Sequence, residues 1–390
     1  MPGKNTTTVE RRSDRELVAT RTFNGPARLV FEAWTRPDLF QRWWVPKSFG
    51  LTLVSCALDV RPGGKYCLVF RHPAAEQPME FFGRYLEVTP PSRLVWTNEE
   101  GGEAGAVTTV TFEEQGGKTL LVMHDLYPSK EALDAAIASG STSGTGETFA
   151  QLDEVLATVG QFFHVVLRTL DVAAARAFYA EALQVDGAGL DVVPLHETAI
   201  AKGARPHWLS FLDVGDVERA AAAFAQRGAT AMGPRWLNPQ GLEAAVMRDP
   251  GGALLALAKP PAVPRPGGSG LEVGWFVLNT PDVETAKRNY GEQFGWHFEA
   301  PAELAGFVVH PFAWRPGGPA VGALLGIENR PQVHPHWLLQ FRVAALKPAV
   351  DAVRAAGGLV AAELQLQTGE RIAVCDDPQG AAFALRALPR

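Results

Sequence analysis

The chain has 390 residues, of which 46% are hydrophobic and 20% are charged, and its formal net charge is −6. This length is too great for one ordinary hydrophobic core and predicts about two to four domains. The negative charge gives no reason to expect a nucleic acid as partner, and no apolar run reaches the roughly 20 residues that span a bilayer. The three cysteines form no ligand-spaced cluster, so we expect a cytoplasmic protein with free thiols.

The first block begins with a polar stretch, residues 1–15, that we expect to be a flexible tail. Residues 21–49 read as a strand followed by short helices, and residues 59–127 read as alternating strands separated by turns that contain Gly or Pro. A helix is predicted over residues 146–163, because its apolar residues fall on one stripe. Strand, helices, antiparallel strands and a closing helix therefore succeed one another in this block.

The second and third blocks repeat each other. "HVVLRTLDVAAARAFYAEAL" (164–183) aligns without gaps with "WFVLNTPDVETAKRNYGEQF" (275–294), and each reads as a strand followed by an amphipathic helix. Asp171 and Asp282 are placed to cap these helices. A second strand–helix unit follows in each block, and glycine ends its helix. Each block then closes on an Asp-Pro-x-Gly turn that leads into a short apolar strand.

The block boundaries follow composition. We expect domains at 16–160, 161–258 and 271–390, with a linker rich in Pro and Gly at 259–270. The second block is shorter than the third between its first helix and His207, so a strand or loop is expected to be trimmed there.

The first block resembles the START-like (SRPBCC) helix-grip fold. The motifs "AWTRPDLFQRWW", "DVRPGGKY" and "VTTVTF" are similar to the branch of heat-shock-ATPase-activator homologues. A fold of this kind implies a cavity between the long C-terminal helix and the curved sheet. The residues expected near it are Trp43, Trp44, Tyr66, Phe82, Trp96 and His124. His124 and Asp125 are neighbours on a predicted strand, so they are expected to point to opposite faces.

The second and third blocks resemble the glyoxalase/bleomycin-resistance/dioxygenase group, the vicinal oxygen chelate superfamily. The motifs "YGEQFGW" (290–296), "PHWLLQF" (335–341) and "DPQGAAF" (377–383) carry this resemblance. The fold class expected for the chain is therefore α+β, a helix-grip domain followed by two domains of the βαβββ type. Each such domain curls into a cup whose concave face can hold a ligand.

Metal-dependent members of this group, by resemblance, hold a divalent ion with His or Glu side chains from the cup strands. In the third block, Trp275 stands at the first-strand position and Ala384 on the last strand, and neither side chain is a ligand. His336 is two residues before the position that aligns with a ligand, Leu338. We therefore predict no metal site in this block, and neither a metal nor a cofactor for the chain as a whole.

The second block keeps one histidine at an aligned position, His164, whereas its last strand carries Ala256. His196 and Glu197 are the side chains that could complete a site, so a degenerate metal site stays open as an alternative there. A polar core histidine is the other interpretation of His164.

The aromatic side chains of the third block suggest a cup that binds a ligand without metal. Its expected lining consists of Trp275, His310, Trp314, His336 and Trp337.

The leading hypothesis is a metal-independent protein that binds a small hydrophobic or aromatic molecule. The first alternative is an enzyme of natural-product or xenobiotic metabolism, a cyclase, isomerase or lyase with His124 or His164 as base. The second is a chaperone-linked interaction protein, suggested by the family that the first block resembles. No nucleic acid or membrane partner is expected, and the second and third blocks are expected to pair within the chain, because a short linker gives each a high effective concentration near the other.

Overall fold

The computed structural model describes residues 6–75, 77–100, 105–140, 142–183, 185, 190–238, 241–261 and 272–389. The chain divides into two compact units, the first ending at Val159 and the second beginning at Gly160. Most of the predicted linker at 259–270 lies outside the described residues. Within the described part of the chain, no helix combines the length and apolar character needed to cross a membrane.

The first unit is an eight-stranded antiparallel sheet with helices against one face. Its elements in chain order are β1 Thr8–Arg11, β2 Glu16–Phe23, α1 Ala27–Thr35, α2 Pro37–Phe40, a 3₁₀ turn Lys47–Phe49, β3 Thr52–Leu58, β4 Lys65–Arg71, β5 Met79–Thr89, β6 Arg93–Thr97, β7 Val107–Gln115, β8 Lys118–Leu126, α3 Lys130–Ala138 and α4 Thr145–Thr158. The strands follow the order β1-β2-β8-β7-β6-β5-β4-β3.

The closing helix α4 buries the predicted stripe, with Phe149, Leu152 and Leu156 all in the core. It ends at Thr158 rather than at residue 163. Val159 has extended backbone angles, and Gly160 follows with φ of +79°, a left-handed conformation that a helix does not continue through.

The N-terminal stretch differs from the expected flexible tail. Residues Thr8–Arg11 form β1, which pairs antiparallel with β2. Arg11 donates from Nη1 to Asp134 Oδ1 of α3 at 2.6 Å. A polar strand is stable here because its backbone groups bond to β2, a long-range pairing that local composition does not reveal.

The second unit contains one sheet from the second block and one from the third. The second block contributes β9 Phe162–Thr169, α5 Val172–Leu183, β10 Val192–Pro194, α6 Glu197–Ala201, β11 His207–Asp213, α7 Val217–Gln226, β12 Thr230–Ala231, β13 Trp236–Leu237, β14 Glu243–Arg248 and β15 Leu254–Lys259. The third contributes β16 Val273–Thr280, α8 Val283–Phe294, β17 His297–Phe298, β18 Ala302–Leu304, β19 Phe307–Ala313, β20 Gly322–Gly326, β21 His336–Arg342, α9 Leu346–Ala355, β22 Leu359–Gln365, β23 Arg371–Asp376 and β24 Ala382–Ala387.

The second block has fewer strands than the third at one edge of its sheet, in the segment that the sequence predicts to be shortened. In the third block β16 pairs in parallel with β20, and β17, β18 and β19 extend the sheet beyond it. In the second block the three-residue strand β10 takes the place of β20 beside β9, also in parallel. The sheet described for that block ends at β10 on this side.

The predicted helix caps are confirmed. Asp171 Oδ1 accepts from the backbone N–H of Ala174 at 2.9 Å, and Asp282 Oδ1 accepts from that of Thr285 at 2.9 Å. The glycines predicted at the ends of α7 and α9, Gly228 and Gly357, have φ of +94° and +86°. Local sequence therefore sets where these helices begin and end.

The two blocks share one hydrophobic core, in which α5 packs on α9 and α7 on α8. Two reciprocal hydrogen bonds cross the boundary between the blocks. Tyr179 Oη donates to Asp377 Oδ2 at 3.2 Å, and Tyr290 Oη donates to Asp249 Oδ2 at 3.0 Å. Asp249 and Asp377 open the repeated Asp-Pro-x-Gly turns, so each turn receives the helix tyrosine of the opposite block. The expected α+β fold class is confirmed.

Candidate functional site

A cavity of about 630 Å³ lies in the first unit. Its walls come from α1, from the concave face of the sheet, and from α3 and α4. Aromatic and aliphatic side chains make up most of this lining, which is usual for a small-molecule pocket. The sequence motif "AWTRPDLFQRWW" and the closing helix thus form opposite sides of one space.

The aromatic wall is centred on Trp34. Its ring centroid lies 4.9 Å from that of Trp43, 5.6 Å from Trp44 and 5.9 Å from Trp96. Trp34, Trp44 and Trp96 line the cavity. Trp34 Nε1 is buried and donates to no described acceptor, so one hydrogen-bond donor in this wall is unsatisfied.

Trp43 and Trp44 have different roles although they are adjacent. Trp43 is fully buried behind the wall, where its Nε1 donates to Ala33 O at 3.0 Å and its carbonyl oxygen accepts from Gln151 Nε2 at 2.8 Å. The structure therefore places Trp43 in the packing between the helices rather than at the cavity. Trp44 stacks on Phe40, with centroids 4.6 Å apart, and reaches the cavity.

A chain of hydrogen bonds runs along the sheet side of the cavity. Tyr66 Oη lies 3.0 Å from Asn98 Oδ1, Asn98 Nδ2 donates to Thr108 Oγ1 at 3.0 Å, and Thr108 Oγ1 donates to Asp125 Oδ1 at 2.6 Å. All four residues line the cavity, and Glu100 and Tyr127 lie on the same lining. We call these six residues the polar strip. It gives an otherwise apolar cavity one polar side.

Enclosure by protein atoms shifts the acidities along the polar strip. Burial raises the pKa of Asp125, and the hydrogen bond from Thr108 opposes this effect. Burial also raises the pKa of Glu100, which accepts from the backbone N–H of Phe82 at 2.8 Å. Burial, with a smaller contribution from Asp125, raises the pKa of Tyr127 to about 12. Asp125 is therefore poorly solvated in its charged form, whereas the Glu100 side chain stays exposed to water.

His124 lies outside the cavity. It points to the opposite face of β8 from Asp125, as predicted, and its Nε2 is 3.1 Å from Glu16 Oε1. Asp125 rather than His124 occupies the cavity face, where β8 pairs Asp125 with Thr108 and Leu17 of the neighbouring strands. Phe82 also does not line the cavity, whereas its neighbour Phe81 does, although both side chains are exposed.

The cup of the third block is filled by its own side chains. The Arg386 guanidinium lies over the Trp275 ring at 4.4 Å from the centroid, and it donates twice to Glu370 at 2.8 Å. Arg386 Nη1 also donates to Gln340 Oε1 at 3.3 Å. Trp275 and Ala384 belong to the apolar cluster on this face. The expected aromatic ligand site is thus occupied by an internal ion pair.

The other expected lining residues of the third block lie elsewhere. Trp337 is buried in the core shared by the two blocks, and Trp314 packs against that core. Asn279 Nδ2 donates to His336 Nε2 at 3.4 Å, and burial lowers the pKa of His336 to about 4. His310 lines a separate polar cavity of about 370 Å³, and burial lowers its pKa. The structure does not bring these side chains together with Trp275.

His164 lies on the cup face of the second block. Its ring centroid is 5.3 Å from that of Phe211, and Phe211 pairs in register with Ala256. His164 Nε2 is 3.0 Å from Asp191 Oδ2. His196 instead caps α6 by accepting from Thr198 N.

His196 and Glu197 are both exposed at the start of α6, in this capping turn. Among the residues that the structure describes, no three His, Cys, Asp or Glu side chains gather as a metal-binding group. His164 and Asp191 alone do not complete the three or four ligands that such a site uses.

Two known protein families match different parts of the chain. Residues 24–157 match the family described as Activator of Hsp90 ATPase homolog 1-like protein, and residues 272–385 match the Glyoxalase/Bleomycin resistance protein/Dioxygenase superfamily. Both resemblances are confirmed for these ranges. The second block lies outside both matches, and its assignment as another vicinal oxygen chelate domain stays a prediction. Domains of these two kinds indicate a small-molecule-binding or enzyme-like function.

Solved structures similar to part of this chain include a Rhodobacter sphaeroides protein with 25% identity, covering 39% of this chain and 97% of that one, at a TM-score of 0.36. A Nitrosomonas europaea protein has 26% identity, with coverages of 38% and 97% and a TM-score of 0.35. An Activator-of-Hsp90-ATPase-like protein from Aeromonas hydrophila has 18% identity, with coverages of 38% and 97% and a TM-score of 0.31. No curated protein matches the chain.

Sequence reasoning missed Trp34, Asn98, Thr108 and Asp125 at the cavity. A signal for Asn98 was present, because it stands two residues after Trp96 and strand alternation puts both on one face. Thr108 and Asp125 join that face through strand register, which needs the pairing of β6, β7 and β8.

Proposed function

We propose that the first unit binds a small, largely apolar molecule in its cavity, without a metal. The observation that carries this proposal is a space of about 630 Å³ with aromatic walls and a single polar side. Such a volume accommodates a drug-sized molecule. The cavity of the first unit is a better candidate than the cup of the third block, because Arg386 and Glu370 fill that cup.

A steric block tests the proposal. Ala132 of α3 lines the cavity, whereas Ala135 of the same helix is exposed. Ala132→Phe should lower the affinity of the full chain for the neutral dye N-phenylnaphthylamine by about tenfold or more, since the added ring enters the cavity. Ala135→Phe is the matched control and should bind as the parent does. Equal dye affinity in both variants, measured by fluorescence titration, would reject the cavity as the binding site.

A second candidate function is catalysis by Asp125. A carboxyl group with a raised pKa in an apolar cavity is a suitable general acid or base, and this residue replaces His124 in that role. Native mass spectrometry of the purified chain would identify a retained molecule. Incubation with that molecule and analysis of products then separates binding from turnover, and Asp125→Asn should abolish turnover.

The chaperone-linked alternative comes from the family that matches residues 24–157. Capture of the heat-shock ATPase by the purified full chain tests it directly.

A further inference from the structure

The charge on the cavity wall is of one sign. Asp125 and Glu100 line the cavity, and no Lys, Arg or His of the described residues does. The nearest histidine in sequence, His124, faces away and contacts Glu16. A carboxylate that is taken from water needs a compensating positive charge or hydrogen bonds. The described part of the chain supplies no such charge to this cavity.

Asp125 retains capacity for a ligand. Its Oδ1 accepts from Thr108 at 2.6 Å, and no described residue donates to Oδ2. Two neighbours in the polar strip, Thr108 and Asn98, have no donor left for it. Thr108 Oγ1 already accepts from Asn98 Nδ2, and Asn98 Nδ2 also lies 3.2 Å from Ala106 O. Asn98 Oδ1 faces Tyr66 Oη. The chain of bonds therefore orients one carboxylate oxygen for a donor that comes from the cavity.

The aromatic side chains of the lining are suited to a cation with an apolar body. The indole rings of Trp34 and Trp96 line the cavity together with Tyr66 and Tyr85. Aromatic faces attract an ammonium group through the ring quadrupole, and more strongly when water is excluded. They also provide contact area for an aromatic or aliphatic skeleton.

We propose that the ligand of this cavity is a protonated amine with an apolar body, held with its ammonium group at Asp125, with Glu100 on the same lining. This inference rests on the proposed function and specifies the ligand class. The ammonium donates to Asp125 Oδ2, and the skeleton lies against the tryptophan wall. Burial raises the pKa of Asp125, so its charged form lacks compensation in the cavity, and an ammonium group at Oδ2 would supply the missing charge.

Three compounds of the same skeleton test the charge preference on the full chain. Phenylbutylamine, phenylbutanol and phenylbutanoate differ at the head group and share the phenylbutyl skeleton, and each is titrated against bound N-phenylnaphthylamine at neutral pH. The amine should displace the dye with an affinity about tenfold above that of the alcohol, and the carboxylate should bind most weakly. Equal affinity of amine and alcohol would overturn the proposal and would instead favour a ligand that donates through a hydroxyl group.

Variants then locate the preference. Asp125→Asn keeps the shape of the side chain and should make amine and alcohol affinities equal, whereas the exposed Glu113→Gln should leave the tenfold preference intact. If the Asp125→Asn variant still binds the amine more tightly than the alcohol, Asp125 is not the residue that binds the ammonium group. The comparison on the parent chain needs no variant, so a misfolded Asp125→Asn does not remove the test.

The same titration separates the two proposals. If Ala132→Phe blocks the dye but the amine does not displace it from the parent, the ligand class is wrong and the cavity remains the site. If Ala132→Phe does not weaken the dye, the proposed function itself is wrong.

Discussion

Two pairs of adjacent residues, His124 with Asp125 and Trp43 with Trp44, show how far a sequence pattern predicts which side chain faces the cavity. The sequence places His124 and Asp125 on opposite faces of β8, and the structure agrees. Which face meets the cavity depends on the side of the sheet that α4 covers, and alternation alone does not specify that side. Trp43 and Trp44 present the same difficulty, because one is core and the other is lining. The segments that lie near the cavity were therefore predictable from the sequence, but the side chain of each pair that points into it depends on tertiary packing.

Asp125 is expected to destabilise the empty protein at neutral pH. Because burial raises its pKa, the folded chain keeps this proton over a pH range in which the unfolded chain, with an aspartate pKa near 3.9, has lost it. Stability therefore falls as pH rises through that range.

Asp125→Asn removes this penalty and should stabilise the first unit at pH 7, by roughly 0.5–2 kcal/mol as is typical of substitutions at strained functional positions. Calorimetric unfolding of the full chain measures it. The advantage should vanish below about pH 3.9, where aspartate is protonated in both states. Glu113→Gln, at an exposed position, is the control. A variant that unfolds at a lower temperature than the parent at pH 7 would contradict the burial argument.

At the scale of elements, the repeated strand–helix units were predictable because their caps and glycine ends are local signals. The strand β1 was not, since its polar residues are held by pairing with β2. The cup of the third block was also misjudged. The spacing of Trp275 and Ala384 along the chain does not show that Arg386, from β24, covers the indole ring and bonds to Glu370.

The ion pair of Arg386 and Glu370 should contribute to the stability of the second unit. The side chains of Arg386 and Glu370 are only 9% and 15% exposed. Glu370→Gln leaves a buried guanidinium without its countercharge and should lower stability by roughly 3–5 kcal/mol, whereas the double variant Glu370→Gln with Arg386→Met should recover most of the loss.

Urea unfolding of the full chain checks this expectation. The exposed pair of Arg342 and Glu272, which are 46% and 65% exposed, offers a matched control whose neutralisation should change stability by about 1 kcal/mol or less. Equal effects at the two pairs would show that the cup is open to water and that the Arg386 pair is solvated.

At the scale of the whole molecule, the sequence predicted three blocks, and the structure divides into two compact units. The repeat between the second and third blocks is visible in the sequence. The core that the two blocks share is not, because it depends on side chains such as Tyr179 and Tyr290, whose partners lie far away along the chain. Internal duplication therefore reveals the domain count more readily than the interface between the copies.

The shared core gives the last prediction, for a chain cut within residues 262–270. Separation of the two blocks would expose the apolar core that they share, including the buried Trp208 and Trp337, and would break the Tyr179–Asp377 and Tyr290–Asp249 hydrogen bonds. The hydrophobic effect therefore favours continued association after the peptide bond is lost. Limited proteolysis that nicks this segment should yield two pieces that elute together in size-exclusion chromatography at the size of the intact chain.

Tyr179→Phe combined with Tyr290→Phe should weaken this association, since each substitution leaves a buried carboxylate with one donor fewer. Tyr85→Phe, in the first unit, is the control. Pieces that separate as stable monomers after the nick would show that each block completes its own core.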